Sequence, residues 1–468
     1  MLTGTYAKYT VYATTRTVYA FLTALTFSAL TVSRFLRLTL LGSLLLIVRA
    51  PHAAAQAVDP ALDSLVGLFR DARGSTAILW RPAPGRVAVG FDGAEIRGLS
   101  GTSGRFTYGP SFGVATPVQG TILRSGTSLD TIIRREGDAV DRMYVRVPLR
   151  ETPVSWDNGR ARLSGTVILP TGAGPFSSLV MLQGAGSETR ESSRVIAYWL
   201  AAHDVASLIY DKRSTGGSTG ASFNVPFADL ARDAIGGMKL LRGMPELRRD
   251  RIGLFGPSQG AWIALAATQI DPGIAFLILQ SGDATSPLEQ EMFRVISALK
   301  AERARGVARS VALADSDLVQ IEAFRRLKFQ HAMTGRAPDG WDAALAAARR
   351  ASWFGLTGDG LPPGDFWAPN GAFDPMPALL SYRGPILSVL GARDISKDVQ
   401  RNAAMMRDAF HRSGNARASV LIIENGNHGL FETTTGLPLA VELPRLTRVA
   451  PGYLDAILEF LAAVGRDR

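Results

Sequence analysis

Apolar positions along this chain change pattern twice. The first 57 residues hold two nearly unbroken apolar patches, Tyr19 to Val32 and Leu38 to Val48. Residues 58 to about 150 carry short alternating segments separated by Gly, Pro, Asp and Ser. From about 151 onward, near-continuous apolar runs of strand length take turns with longer segments of helical period. Each regime implies a different kind of structure.

In the second region the strand-like segments are Ala77 to Trp80, Arg86 to Val89, Arg105 to Tyr108, Gly120 to Leu123 and Arg142 to Val147. Their spacing predicts a small antiparallel β-rich domain over 58–150. It shows no propeller-like repeat and no cluster of reactive side chains. Its expected role is structural, or to shape the approach to the next domain.

In the third region, strands are predicted at Leu163 to Leu169, Ser178 to Leu182, Val205 to Tyr210, Ile274 to Leu279, Pro385 to Leu390 and Ala418 to Ile423. Helices are predicted at Ser193 to His203, Phe227 to Leu241 and Tyr453 to Val464. Apolar strands alternating with helices indicate α/β architecture, a mostly parallel sheet with helices on both faces. The alternation stops between about 282 and 382. There Leu288 to Arg305, Val311 to His331 and Trp341 to Ala351 read as helices, with Trp353, Phe354, Trp367 and Phe373 in the loops that follow. A helical insertion at this point would cap the carboxyl ends of the strands, where open α/β sheets bind ligands, and its aromatic residues would line an acyl pocket. A helical appendage without contact to substrate is the competing reading.

Composition narrows the picture. With 46% hydrophobic and 20% charged residues the chain is globular. The absence of cysteine excludes disulfides, thiolate metal sites and a cysteine nucleophile. No histidines are paired at metal-ligand spacing, so neither a metal nor another cofactor is expected. The formal charge of +10 looks like a nucleic-acid signal, but half of it comes from Lys8, Arg16, Arg34, Arg37 and Arg49 in an amino-terminal segment without acids. The remaining charge is dispersed, and no nucleic-acid partner is expected.

That segment has its own explanation. Arg34 and Arg37 precede the apolar run to Val48, and Ala55-Gln56-Ala57 fits a small-residue cleavage site. The run is shorter than the ~20 residues of a membrane-spanning helix. Residues 1–57 therefore read as an export signal, implying a secreted or periplasmic protein. The rival is an uncleaved anchor, the one case in which membrane association is expected. Translation starting near Val32 would account for the extra upstream patch.

Candidate chemistry centres on Arg251 to Thr268. An apolar strand runs into Gly256-Pro257-Ser258-Gln259-Gly260, and a helix-forming segment follows at once. G-x-S-x-G also occurs around Ser111 and Ser218, but neither lies between a strand and a helix, and both read as turn serines. Ser258 has the setting of a nucleophile elbow, a tight strand-to-helix turn that pushes the hydroxyl out at the top of a sheet.

A serine nucleophile needs a base, and the base an orienting acid. Of the five histidines, His52 falls in the signal, His203 and His411 end helices, and His331 lies in the insertion. His428 stands in Glu424-Asn-Gly-Asn-His-Gly429, directly after the last apolar strand, and is the expected base. Asp394, after the strand beginning at Pro385, is the expected acid, with Asp398 and Glu424 as alternates. Two backbone N–H groups must hold the oxyanion. Gln259 supplies one, and the Gln183-Gly184-Ala185-Gly186 turn suggests Ala185 for the other.

These stretches, together with Tyr210-Asp-Lys-Arg-Ser-Thr-Gly-Gly-Ser218, resemble the α/β-hydrolase superfamily. They are most similar to bacterial serine esterases of the dienelactone hydrolase and prolyl oligopeptidase-like branch. The resemblance covers about 151–468. It departs from the usual pattern at the oxyanion turn and at Ser214, where relatives have Gly. It implies a carboxylic ester, thioester or amide substrate attacked through an acyl-enzyme, with an esterase expected and a peptidase or amidase as the alternative. A non-catalytic binding protein on the same scaffold is the reading from another class.

Overall fold

The computed structural model describes residues 65–466, apart from 84–85, 103, 125–129, 138, 222–224, 359 and 438. The export-signal or anchor reading of 1–57, with His52, lies outside the described residues. Among the described residues no helix is long and apolar enough to cross a membrane.

Eight antiparallel strands, numbered in chain order, close into a barrel: β1 (Gly67–Asp71), β2 (Thr76–Ala83), β3 (Arg86–Phe91), β4 (Glu95–Thr102), β5 (Arg105–Tyr108), β6 (Gly120–Arg124), β7 (Thr131–Arg135) and β8 (Arg142–Arg146). Pairing of β1 with β8, Phe69 opposite Arg146, completes the circle. Phe69, Leu79, Val89, Phe91, Phe106, Tyr108, Ile122, Ile132 and Tyr144 fill the interior. Alternate residues of the first strands, Leu68, Ile78, Trp80 and Ala88, point outward into a second apolar cluster with Tyr198, Trp199 and Tyr453. These strands are apolar on both faces because one face fills the barrel and the other packs on the next domain.

That domain is an eight-stranded sheet ordered β16-β15-β14-β13-β11-β12-β10-β9. Its members are β9 (Arg150–Asn158), β10 (Ala161–Leu169), β11 (Phe176–Met181), β12 (Val205–Tyr210), β13 (Leu247–Pro257), β14 (Leu277–Gln280), β15 (Ile386–Gly391) and β16 (Ala418–Ile423). From β12 to β16 neighbours run parallel, whereas β10 is antiparallel to both β9 and β12. Helices Phe227–Arg242, Gln259–Thr268 and Val399–Ser413 cover one face. Helices Glu191–Ala201 and Tyr453–Arg466 cover the other, which the barrel extends. Burial from both sides is why β12 and β15 are buried at every position and read as near-continuous apolar runs.

Among the described residues, six helices are inserted between β14 and β15: Pro287–Ala304, Asp315–Thr334, Trp341–Arg350, Phe354–Thr357, Gly364–Asn370 and Met376–Ser381. The first starts cleanly because Ser286 accepts the Glu289 N–H (3.3 Å) and Pro287 opens the turn. Leu299, Ile321, Phe324 and Trp353 give the insertion a core of its own. Its base is anchored by Asn370, fully buried, which accepts the Phe227 N–H at 2.8 Å and donates to the Val225 carbonyl at 3.1 Å.

The aromatic residues placed in loops by their sequence context sit differently. Phe354 and Trp367 lie in the two short helices. Trp353 and Phe354 pack on Phe324, Trp367 meets Phe329 edge-on at 4.4 Å, and Phe373 packs on Phe227. All four hold the insertion together or fasten it down.

Candidate active site

Parallel strands end on the same edge of a sheet, so the loops after β13, β15 and β16 emerge side by side. Ser258 follows β13 with φ 52° and ψ −116°, a region costly for a residue with a side chain. The turn is held by the Ser258 N–H donating to the Gln280 carbonyl at 2.8 Å. It is so tight that a Cβ at Gly256 would lie 2.4 Å from the Gly260 carbonyl oxygen. The glycine two residues before the serine is therefore a steric requirement.

The loops after β15 and β16 are brought equally close. A Cβ at Gly391 would stand 2.4 Å from the Gly426 oxygen and 2.5 Å from the Asn427 oxygen. Arg393 N–H donates to the Gly426 carbonyl at 2.9 Å. Across this seam His428 Nδ1 lies 2.7 Å from Asp394 Oδ2, and His428 Nε2 lies 3.0 Å from Ser258 Oγ. The three side chains expected from sequence thus converge. The Asp394 side chain is 1% exposed and that of His428 25%, so the acid is sealed while the imidazole and the half-buried serine remain reachable.

The imidazole is braced from behind. Ser281 Oγ donates to the His428 carbonyl at 2.8 Å. Asn427 Oδ1 accepts the Gly429 and Phe431 N–H groups, and its amide donates to buried Glu442 at 2.7 Å. The segment beyond Glu442 pairs with the barrel: Ile96 N–H donates to Thr447, and Phe112 N–H to Leu446, each at 2.8 Å. The barrel is thereby tied to the segment that follows the histidine loop.

Asp394 Oδ1 accepts the Ser396 N–H at 2.8 Å. Burial pushes this carboxyl upward, but the facing imidazole, the Lys397 charge and the Ser396 N–H outweigh it. The net result is a pKa below the ordinary 3.8. Lys397 itself forms an ion pair with Asp283, both buried. Burial dominates at Asp283 and raises its pKa despite that partner.

The alternates do other work. Asp398 caps the helix Val399–Ser413 by accepting the Arg401 N–H at 3.1 Å, and Glu424 is exposed at the end of β16. Ser111 Oγ donates to the Pro444 carbonyl at 2.6 Å. Ser218 Oγ donates to the Asp211 carbonyl at 2.7 Å and accepts the Ser164 N–H at 2.9 Å. Both are turn serines. His203 Nδ1–H donates to the Trp199 carbonyl at its helix end, His411 is exposed at the end of another helix, and His331 packs edge-on against Trp341 at 4.9 Å.

Gln259 opens the helix Gln259–Thr268, so its N–H is one of the first-turn donors without a helical acceptor, at the positive end of the helix dipole. Ala185 is exposed in the turn after β11, the strand beside β13. Among the described residues, neither N–H has a hydrogen-bond acceptor. Two unengaged donors beside an imidazole-linked serine can hold an anionic oxygen, while the imidazole takes the serine proton as the hydroxyl attacks a carbonyl.

Two buried charges near the site had no sequence signature: the Asp283–Lys397 ion pair, and Lys212, which feels the charge of Glu188. Lys212 stands in the Tyr210 to Ser218 stretch, but what it touches depends on loops folded together.

No family model matches this chain, and no curated protein does. Among solved structures its path is similar to the alpha/beta hydrolase GrgF from Penicillium sp. sh18, at 16% identity and a TM-score of 0.41 over 67% of this chain and 99% of that one. It is similar to DcsB, solved in complex with its substrate analogue, at 15% identity and 0.42 over 68% and 100%. It is also similar to the Pyrococcus furiosus esterase Pf2001, at 17% and 0.40 over 68% and 92%.

Proposed function

We propose that this protein is a serine hydrolase of the α/β-hydrolase superfamily that cleaves carboxylic esters through an acyl-enzyme. The observation that carries the proposal is the hydrogen-bonded chain from Asp394 through His428 to Ser258, on a serine whose backbone is held at positive φ. The sheet order, with β10 alone reversed between β9 and the parallel strands, supports the superfamily reading, as does the chain order Ser, Asp, His.

In this reading Ser258 Oγ attacks the acyl carbonyl while His428 Nε2 takes its proton. Asp394 keeps Nδ1 protonated and stabilises the imidazolium. The Ala185 and Gln259 N–H groups hold the tetrahedral oxyanion, each worth ~3 kcal/mol of transition-state stabilisation. His428 then gives its proton to the leaving alcohol. Water, deprotonated by the same imidazole, releases the acid and restores Ser258. Residues 1–57 would direct the enzyme out of the cytoplasm, which amino-terminal sequencing of the exported form would test.

The test is turnover of a short-acyl p-nitrophenyl ester. Ser258→Ala should abolish it, whereas Ser111→Ala and Ser218→Ala, which alter turn serines, should keep most of it. Unchanged turnover in Ser258→Ala would reject the proposal.

A further inference from the structure

Beneath the two oxyanion donors lies a buried cation. Lys212, 6% exposed, follows β12 and projects Nζ between two loops. It donates to the Gly184 carbonyl at 2.8 Å and to Gln259 Oε1 at 2.7 Å. The Gly184 carbonyl and the Ala185 N–H are the two ends of one peptide group. Gln259 carries the other donor on its own backbone. A single ammonium therefore touches both halves of the oxyanion site from the side away from substrate.

We propose that Lys212 is the positioning residue of the oxyanion hole, orienting and polarising the Ala185 N–H through the Gly184 carbonyl and fixing Gln259 by its side chain. The inference rests on the hydrolase reading above. A charge-assisted bond to a peptide oxygen draws density away from the amide nitrogen, so the N–H at the far end donates more strongly. Preorganised donors of this kind act where negative charge develops, and their effect falls on the transition state.

The surroundings fix the lysine as firmly as it fixes the donors. The Glu188 carboxylate supplies its counter-charge. A Cβ at Gly184 would lie 2.9 Å from Glu188 Oε1, so glycine lets the carboxylate in. The Glu188 carbonyl accepts the Lys212 N–H at 3.1 Å and Thr215 Oγ1–H at 2.9 Å. The adjacent charges on the Lys212 loop are committed elsewhere: Asp211 pairs with Arg190, and Arg213 with Asp233. Glu188 is left as the charge that faces the ammonium.

Burial pulls the lysine pKa down to about 8, with Glu188 opposing the fall. Loss of that proton removes the charge that polarises the Gly184 peptide, so turnover should decline as pH rises through this value.

The experiment uses the full chain, a short-acyl p-nitrophenyl ester and a fluorophosphonate, with Lys212→Met and Lys212→Gln. Turnover number and phosphonylation rate should both fall about 10–100-fold. KM should stay within about threefold, and labelling should still reach every molecule. The alkaline decline of the parent enzyme should vanish in both variants. A purely structural lysine would instead lower the fraction that can be labelled and leave the pH profile of the remainder unchanged. Wild-type rates in a folded variant, or a persisting alkaline decline, would overturn the inference. Should neither variant fold, Glu188→Gln serves: losing the counter-charge should move the decline to lower pH, and an unmoved decline overturns the inference. An unsubstituted protein that neither turns over ester nor labels would sink the hydrolase reading instead.

Discussion

Replacing Asp394 by asparagine exchanges one heavy atom and should cost most of the activity. Asp394 Oδ1 accepts the Ser396 N–H and Oδ2 faces His428 Nδ1 at 2.7 Å. In Asp394→Asn the backbone donor claims the amide oxygen, which turns the NH2 group toward the imidazole. Nδ1 must then accept, so the ring proton moves to Nε2, the atom 3.0 Å from Ser258 Oγ. A protonated Nε2 cannot take the serine proton. Loss of the correct tautomer in such a triad lowers kcat about 10⁴-fold, equivalent to about 5 kcal/mol in the barrier. The side chain is sealed, and water cannot replace the lost carboxylate. The assay is kcat/KM for a p-nitrophenyl ester, with thermal unfolding to confirm a folded variant. Asp398→Asn and Glu424→Gln are controls expected to stay within about twofold, because Asp398 caps a helix and Glu424 is exposed. The folded pKa of Asp394 is depressed, so its interactions contribute stability above the ordinary 3.8 and are lost as pH falls through the lowered value. That acid-side loss should be weaker in Asp394→Asn. A variant within tenfold of the parent enzyme would refute the reasoning.

Two further substitutions probe the frame around the triad. Gly256→Ala would put a methyl 2.4 Å from the Gly260 carbonyl oxygen; it should lower stability by about 1–3 kcal/mol and turnover by more than its effect on KM, as measured by denaturant unfolding alongside kinetics. Lys397→Met leaves Asp283 buried without its partner and should cost about 3–5 kcal/mol. Adding Asp283→Asn should recover much of that loss, which a double-mutant cycle in chemical denaturation would measure.

Much of the site could be read from the chain because its geometry leaves local traces. A strand buried on both faces is nearly all apolar, as Val205–Tyr210 and Ile386–Gly391 are apart from Ser207 and Ser388. The turns that follow carry glycine where a Cβ would collide, at Gly256 and Gly391. Ser258 and Asp394 follow buried apolar strand segments and His428 follows the half-exposed edge strand β16, and parallel pairing puts all three on one edge of the sheet. What escaped the sequence depends on contacts between distant segments. Closure of the barrel needs β1 to meet β8, and β4 (Glu95–Thr102) is too polar and glycine-rich to stand out as a strand. β9 (Arg150–Asn158), half-exposed and carrying Pro153, hides at the domain boundary. The Asp283–Lys397 pair joins residues 114 positions apart, and no spacing announces it. Trp367 was expected in a loop because Gly and Pro crowd residues 358–364, yet Pro363 sets up a short helix at Gly364–Asn370, held by Asn370.

The most direct test of the account is to react the intact protein with a fluorophosphonate and locate the modified residue by peptide mass analysis. A single adduct on Ser258, lost in His428→Ala and blocked by competing ester, is the expected result. An adduct on Ser111 or Ser218, or none on a folded protein, would contradict it.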